Sequence, residues 1–245
     1  MTCPNMATKN SSPFGAIIPG IILFGLSFVV LWWNEGEAVK DYISIGDLNK
    51  KAVDATSNEV NPDNEGKPVV VKAEATTEET LSDPKFGLSA VALQLVREVE
   101  MYQWRENTPS KKDREAGKLP TYDQVWSNEE IPSANFEIKE GHENPAMAYQ
   151  SKSWIAKDVD FGAFKLPEYL TSRVNNFVPV DPSEAKPTIP EAVNNSEGML
   201  YIGEDRAQPK IGDMKILFKA VYPQDVSLIA KQVGNTFEEY VAKND

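Results

Sequence analysis

From Phe14 to Trp33 the chain reads FGAIIPGIILFGLSFVVLWW, twenty residues without a charge. A helix of that length rises about 30 Å, the thickness of the hydrocarbon core of a bilayer. Ser27 has the only polar side chain in the run, and its hydroxyl can bond back to its own helix. Pro19 and the glycines Gly15, Gly20 and Gly25 are residue types that membrane spans tolerate, and Ala16 and Gly20 together would let another helix approach closely. Trp32 and Trp33 close the run where amphipathic rings favour the lipid–water boundary.

A cleavable signal peptide is the main alternative, and it fits less well. The run is longer than a secretory apolar region, and Lys9 is the only basic side chain before it. A buried core helix fits poorly too, because such helices rarely run twenty residues without a polar face. The expectation is a signal anchor: a tail over 1–13, a transmembrane helix over 14–33 and an extramembrane domain over 34–245. Counting positive charges near the span sets Lys9 and the α-amine against Lys40, Lys50 and Lys51, which favours a cytosolic C-terminal domain.

Beyond the span lie 24 basic against 37 acidic residues, a formal charge of −13. Such a surface repels phosphate backbones and anionic headgroups, so neither nucleic acid nor a polybasic lipid contact is expected. Cys3 is the only cysteine, which leaves the large domain without a disulfide or a thiol nucleophile.

Hydrophobic periodicity in 34–245 predicts an α+β fold dominated by strands. A short strand is expected over Lys67–Ala73. A long one runs over Val91–Trp104, with Val91, Leu93, Leu95, Val99 and Met101 on one face and its alternation interrupted by Arg97. Tyr122–Trp126 would return as its hairpin partner. After an alternating stretch at Asp158–Phe164, a helix starting at Pro167 would carry Leu166, Leu170, Val174 and Phe177 as its apolar stripe. Residues 180–196 read as loop. The last fifty residues suggest a β-meander: Met199–Ile202, Asp213–Tyr222, Val226–Val233, a Gly234-Asn235 turn and Thr236–Val241. The repeated Asn64-Glu65-Gly66 and Ser196-Glu197-Gly198 suggest two related β-units, about 34–150 and 151–245.

No catalytic or cofactor pattern emerges. His142, the only histidine, lies in Gly141-His142-Glu143-Asn144-Pro145, which is turn chemistry, and no nucleophile elbow accompanies it. Asp158-x-Asp160 begins like a calcium loop, but the glycine and terminal glutamate of that motif do not follow; zinc spacings are missing as well. Neither metal nor cofactor is expected. Tyr102 and Trp104 read first as sheet core. If they share an exposed face with Trp126, they form a candidate protein contact, to which His142 is added.

Several stretches resemble the LUMA family, transmembrane protein 43. Gly25–Lys40 (GLSFVVLWWNEGEAVK) looks like the family's first span and its exit motif Asn34-Glu35-Gly36. NEGKPVVV, LSDPKFG, VEMYQWRE, GHENPAMA and IGDMKILF follow in the family's order, from Asn64 to Phe218. The resemblance implies a cytosolic N-terminus and a large domain in the lumen of the endoplasmic reticulum or nuclear envelope, or in the periplasm of a bacterium. That reverses the orientation favoured by charge counting. It also implies about three further spans after this domain, a link to nuclear-envelope organisation through lamins and emerin in animals, and no established enzymatic activity. The expected role is therefore a non-catalytic integral membrane protein. Its partners would be the lipid bilayer and other membrane proteins or copies of itself. The alternative is a membrane-tethered hydrolase with a carboxylate-based site, which a deep pocket with two convergent carboxylates near His142 would favour.

Overall fold

The computed structural model describes Ser27, residues 51–182, the backbone of 192–196, and residues 198–240. The expected span, with Phe14, Pro19, Gly20, Gly25, Trp32 and Trp33, lies outside the described residues apart from Ser27, as does the exit motif Asn34-Glu35-Gly36. Among the described residues no helix is long and apolar enough to cross a membrane.

Fifteen strands dominate these residues: β1 (Val53–Asp54), β2 (Pro68–Thr76), β3 (Thr80–Asp83), β4 (Leu88–Val91), β5 (Gln94–Asn107), β6 (Thr121–Ser127), β7 (Lys152–Ile155), β8 (Asp160–Phe161), β9 (Phe164–Lys165), β10 (Val178–Val180), β11 (Ala192–Ser196), β12 (Met199–Ile202), β13 (Met214–Val221), β14 (Gln224–Val233) and β15 (Thr236–Glu238). The first sheet runs β15-β14-β2-β8-β9, with β1 parallel to β2. The second runs β11-β12-β13-β5-β6, with β10 beside β13 and β7 beside β5; β3 and β4 form a separate hairpin. Both large sheets combine strands from before and after residue 150. One apolar cluster draws on Val69 and Val71 of the first sheet, Leu95, Val99, Ile216 and Phe218 of the second, and Leu81, Phe86 and Leu88 of the hairpin region.

Strict alternation builds the second sheet. Met214, Ile216, Phe218 and Ala220 of β13 are buried, and so are Leu95, Val99 and Met101 of β5, which places the odd residues of β5 on the inner face. Arg97 does not interrupt this pattern. It sits on the inner face, buried, as does Gln103. The expected strand from Val91 is divided: β4 ends at Val91, Ala92 and Leu93 form a buried joint, and β5 begins at Gln94.

Arg97 is accommodated because its guanidinium is both paired with a carboxylate and hydrogen-bonded. Its Nη1 pairs with the Asp83 carboxylate, while Nε and Nη2 donate to the Gln150 carbonyl at 3.0 and 2.9 Å. Its guanidinium lies 5.1 Å from the Phe86 ring centre and 5.6 Å from that of Trp154, a geometry in which each ring face attracts the cation. The other Asp83 oxygen accepts from the Lys85 N–H at 2.9 Å and holds the turn between β3 and β4.

Three further expectations are corrected. The helix after Pro167 is a single turn, Glu168–Thr171. The Gln94 amide donates to the carbonyls of Thr171 and Val174 at 2.7 and 2.6 Å and so takes acceptors that a continuing helix would use. The stripe accordingly ends at Val174, and Phe177 is exposed. The stretch 180–196 is not all loop: β10 and β11 add to the second sheet. The final strands do not form a meander either. β12 and β13 pair in the second sheet, but the chain then crosses at Tyr222-Pro223 and β14 pairs with β2 in the first. Proline breaks the run there, and neighbouring Val221 is fully buried between the two sheets' contributions to the core.

Candidate contact surface

Because the odd residues of β5 face the core, the even ones line the outer face of the second sheet. Register puts Tyr102 opposite Trp126, Trp104 opposite Gln124 and Glu106 opposite Tyr122. Tyr102, Trp104 and Trp126 therefore share one face and are half-buried. The rings of Tyr102 and Trp126 lie 5.1 Å apart, and Tyr201 of β12 meets Trp126 edge-on at 6.2 Å. Lys215 of β13 places its ammonium 3.8 Å from the centre of the Trp126 ring. The same face pairs Glu98 with Lys219 at 2.6 Å.

His142 completes the row from a loop. Its ring stacks on Tyr122 at 3.8 Å and meets Trp104 edge-on at 4.9 Å, so all four residues singled out from sequence lie on one surface. The loop is tied down around it. The Tyr122 hydroxyl donates to Glu106 at 2.7 Å and accepts from the Ile138 N–H at 2.9 Å; Glu106 also accepts from the Glu137 N–H at 2.6 Å. These bonds, Tyr122's first, hold the Glu106 carboxyl below its usual range. Burial and the Glu106 bond push the Tyr122 phenol up. Tyr201 is pushed up further by burial and by its 2.6 Å bond to Asp213.

Asn144, which the sequence marks only as part of a turn, has a larger role. Its side chain accepts from the Trp104 N–H at 2.7 Å and donates to the carbonyls of Trp104 and Ile131 at 2.9 and 3.0 Å. One residue pair earlier, the Tyr102 N–H donates to Asp213 and its carbonyl accepts from Gly212. The amide of Asn144 thus continues the ladder of β13 along β5, and it fixes the loop that carries His142. Stretches VEMYQWRE, GHENPAMA and IGDMKILF meet here. Tyr122, Tyr201 and Lys215 join this surface without being sequence candidates for it; in β6 the alternate spacing of Tyr122, Gln124 and Trp126 is the signal that they share a face.

The surface offers little for catalysis. Among the described residues the buried Nδ1 of His142 has no hydrogen-bond partner, and the ring neighbours of His142 are Trp104 and Tyr122. Among the described residues no group of three or more His, Cys, Asp or Glu side chains could hold a metal. A cavity of about 420 Å³ opens elsewhere, between Leu166, Leu170 and Val174 on one side and β14 on the other. Asp225 is its one carboxylate and His142 is not part of it, so it does not supply the paired carboxylates that a hydrolase reading requires.

A sequence profile of the family described as transmembrane protein 43 matches residues 101–245. Transmembrane protein 43 of Rattus norvegicus is 30% identical over 258 residues, covering 98% of this chain and 64% of its own length. The Homo sapiens protein is 32% identical over 222 residues, covering 88% and 55%. A homolog from Drosophila melanogaster is 26% identical over 234 residues, covering 91% and 62%. The chain thus spans between about half and two thirds of the length of these curated relatives. No solved structure matches it. The profile covers more than half of the chain and the identity extends over nearly all of it: the chain belongs to the transmembrane protein 43 family.

Proposed function

We propose that this member of a membrane-protein family is non-catalytic and that its large domain organises membrane complexes through protein contacts. Residues 14–33 anchor it, and the domain lies on the luminal or periplasmic side. The observation that carries the reading is the outer face of the second sheet, where Tyr102, Trp104, Trp126 and Tyr122 with His142 form a half-buried aromatic surface. Aromatic residues that keep a polar tip are enriched at the centres of protein contacts. On this face charge is locally balanced, with Glu98 paired to Lys219 and Lys215 seated on Trp126.

A photo-crosslinking side chain placed at Trp104, or at exposed Lys72 of β2 as a control, tests this in native membranes. Adducts of defined mass are expected from Trp104 and not from Lys72. A folded protein that remains unlinked at Trp104 would sink the proposal. Protease treatment of sealed vesicles tests the orientation: the domain should be protected from the cytosolic side, and cleavage there would reverse the assignment.

A further inference from the structure

Among the described residues β6 is an edge strand, and its outward hydrogen-bonding groups meet no backbone partner there. Tyr102 and Trp104 direct their N–H and C=O groups towards Asp213, Gly212 and Asn144. Met101, Gln103, Arg105 and Asn107 therefore face β6, opposite Ser127, Val125, Asp123 and Thr121. Tyr122, Gln124 and Trp126 consequently turn their backbone groups away from β5. No backbone hydrogen bond from these three to another described residue is formed on that side.

Edge strands are usually protected by lysine, proline or a bulge. β6 (TYDQVWS) has neither residue, and its register with β5 is unbroken over seven pairs. Its single ionised side chain, Asp123, is bonded to Arg105 and Asn107. Elsewhere the acidic chain, net charge −12, would repel a copy of itself.

We infer that β6 pairs antiparallel with β6 of a second copy, about a two-fold axis at Gln124, and joins the two second sheets into one. This inference rests on the contact reading above and names its partner. In that register Gln124 faces Gln124, Tyr122 faces Trp126 of the other copy, Asp123 faces Val125 and Thr121 faces Ser127. All three outward-facing residues of each strand enter hydrogen-bonded pairs, no like charges oppose, and the aromatic face continues across the axis. Shifting by one step towards Asp123 would set the two aspartates against each other.

Cysteine substitution in the full chain, with Cys3→Ser to remove the only native thiol, tests the register in membranes. Hydrogen-bonded antiparallel pairs hold Cα atoms about 5.5 Å apart, within the reach of a disulfide. Mild oxidation should convert Q124C to a disulfide dimer. T121C, S127C and the K72C control should stay monomeric alone, while T121C mixed with S127C should crosslink. Gln124→Pro should lose self-association yet remain folded, because the N–H it removes faces outward. Monomeric Q124C beside a wild-type protein that amine crosslinkers trap as a dimer would overturn β6 pairing and leave the contact reading standing. Capture of a different protein at residue 124 would overturn the second copy as occupant. A chain that crosslinks to nothing by any route would overturn both.

Discussion

Replacing Asp83 by alanine should be among the most damaging single changes in the domain. Asp83 and Arg97 have side chains only 0% and 4% exposed, so D83A leaves the guanidinium buried without its counter-charge. Breaking such a pair typically costs about 3–5 kcal/mol. The Gln150 carbonyl and the rings of Phe86 and Trp154 still face the guanidinium, which argues for the low end, about 3 kcal/mol. In a protein of this size that is roughly a 6–12 °C fall in Tm. Reversible thermal unfolding of the full chain in detergent, followed by tryptophan fluorescence, would measure it. In D83A/R97M the uncompensated charge is gone, so the double variant should be no less stable than D83A and the single costs should not add. A D83A cost below about 1 kcal/mol, or additive single effects, would refute the view of a buried, mutually dependent pair.

Asn144→Ala should leave the N–H and C=O of Trp104 without partners and cost roughly 2–4 kcal/mol, with faster hydrogen exchange at the Trp104 amide. Asn144→Asp should fail similarly, because a carboxylate cannot donate to the carbonyls of Trp104 and Ile131. Gly162→Ala should destabilise the fold well beyond Gly117→Ala: both glycines have positive φ, but a Cβ at 162 would lie 2.2 Å from the Ser57 carbonyl oxygen, whereas nothing lies within 4 Å at 117. Acidification should loosen the 133–142 loop. Because the folded Glu106 carboxyl titrates below its ordinary value of 4.5, its contribution is present above that value and is lost as pH falls through the lower folded value. The Glu137 and Ile138 amides, which bond to Glu106 and Tyr122, should lose protection in that interval, and Glu106→Gln should flatten the response.

Much of the sheet architecture could be read from side-chain alternation. β12 has its expected bounds, β13 and β6 differ from expectation by a residue at each end, and the Gly234-Asn235 turn joins β14 to β15. Elements whose stability comes from distant partners were not legible. β7 is four residues long and β10 has Pro179 at its centre; neither has a local pattern strong enough to declare a strand. The sheet switch after β13 depends on which neighbour β14 finds, and no periodicity encodes that choice. Arg97 broke the apparent alternation because a charge normally signals an outward position; its neutralisation by Asp83, fourteen residues upstream, is a tertiary fact. At the candidate surface Tyr102, Trp104 and Trp126 could be placed together by counting strand positions. The arrival of His142 over Tyr122 and the role of Asn144 required the fold.

The most direct test of the contact surface is hydrogen exchange at the Tyr122, Gln124 and Trp126 amides in the membrane-embedded full chain. These N–H groups face outward from the sheet edge, so protection there reports association. Slow exchange is expected at all three in the membrane, and fast exchange after dilution into detergent or in Gln124→Pro at the two amides that remain. Fast exchange in the membrane, with the neighbouring Val125 amide still protected by β5, would contradict it.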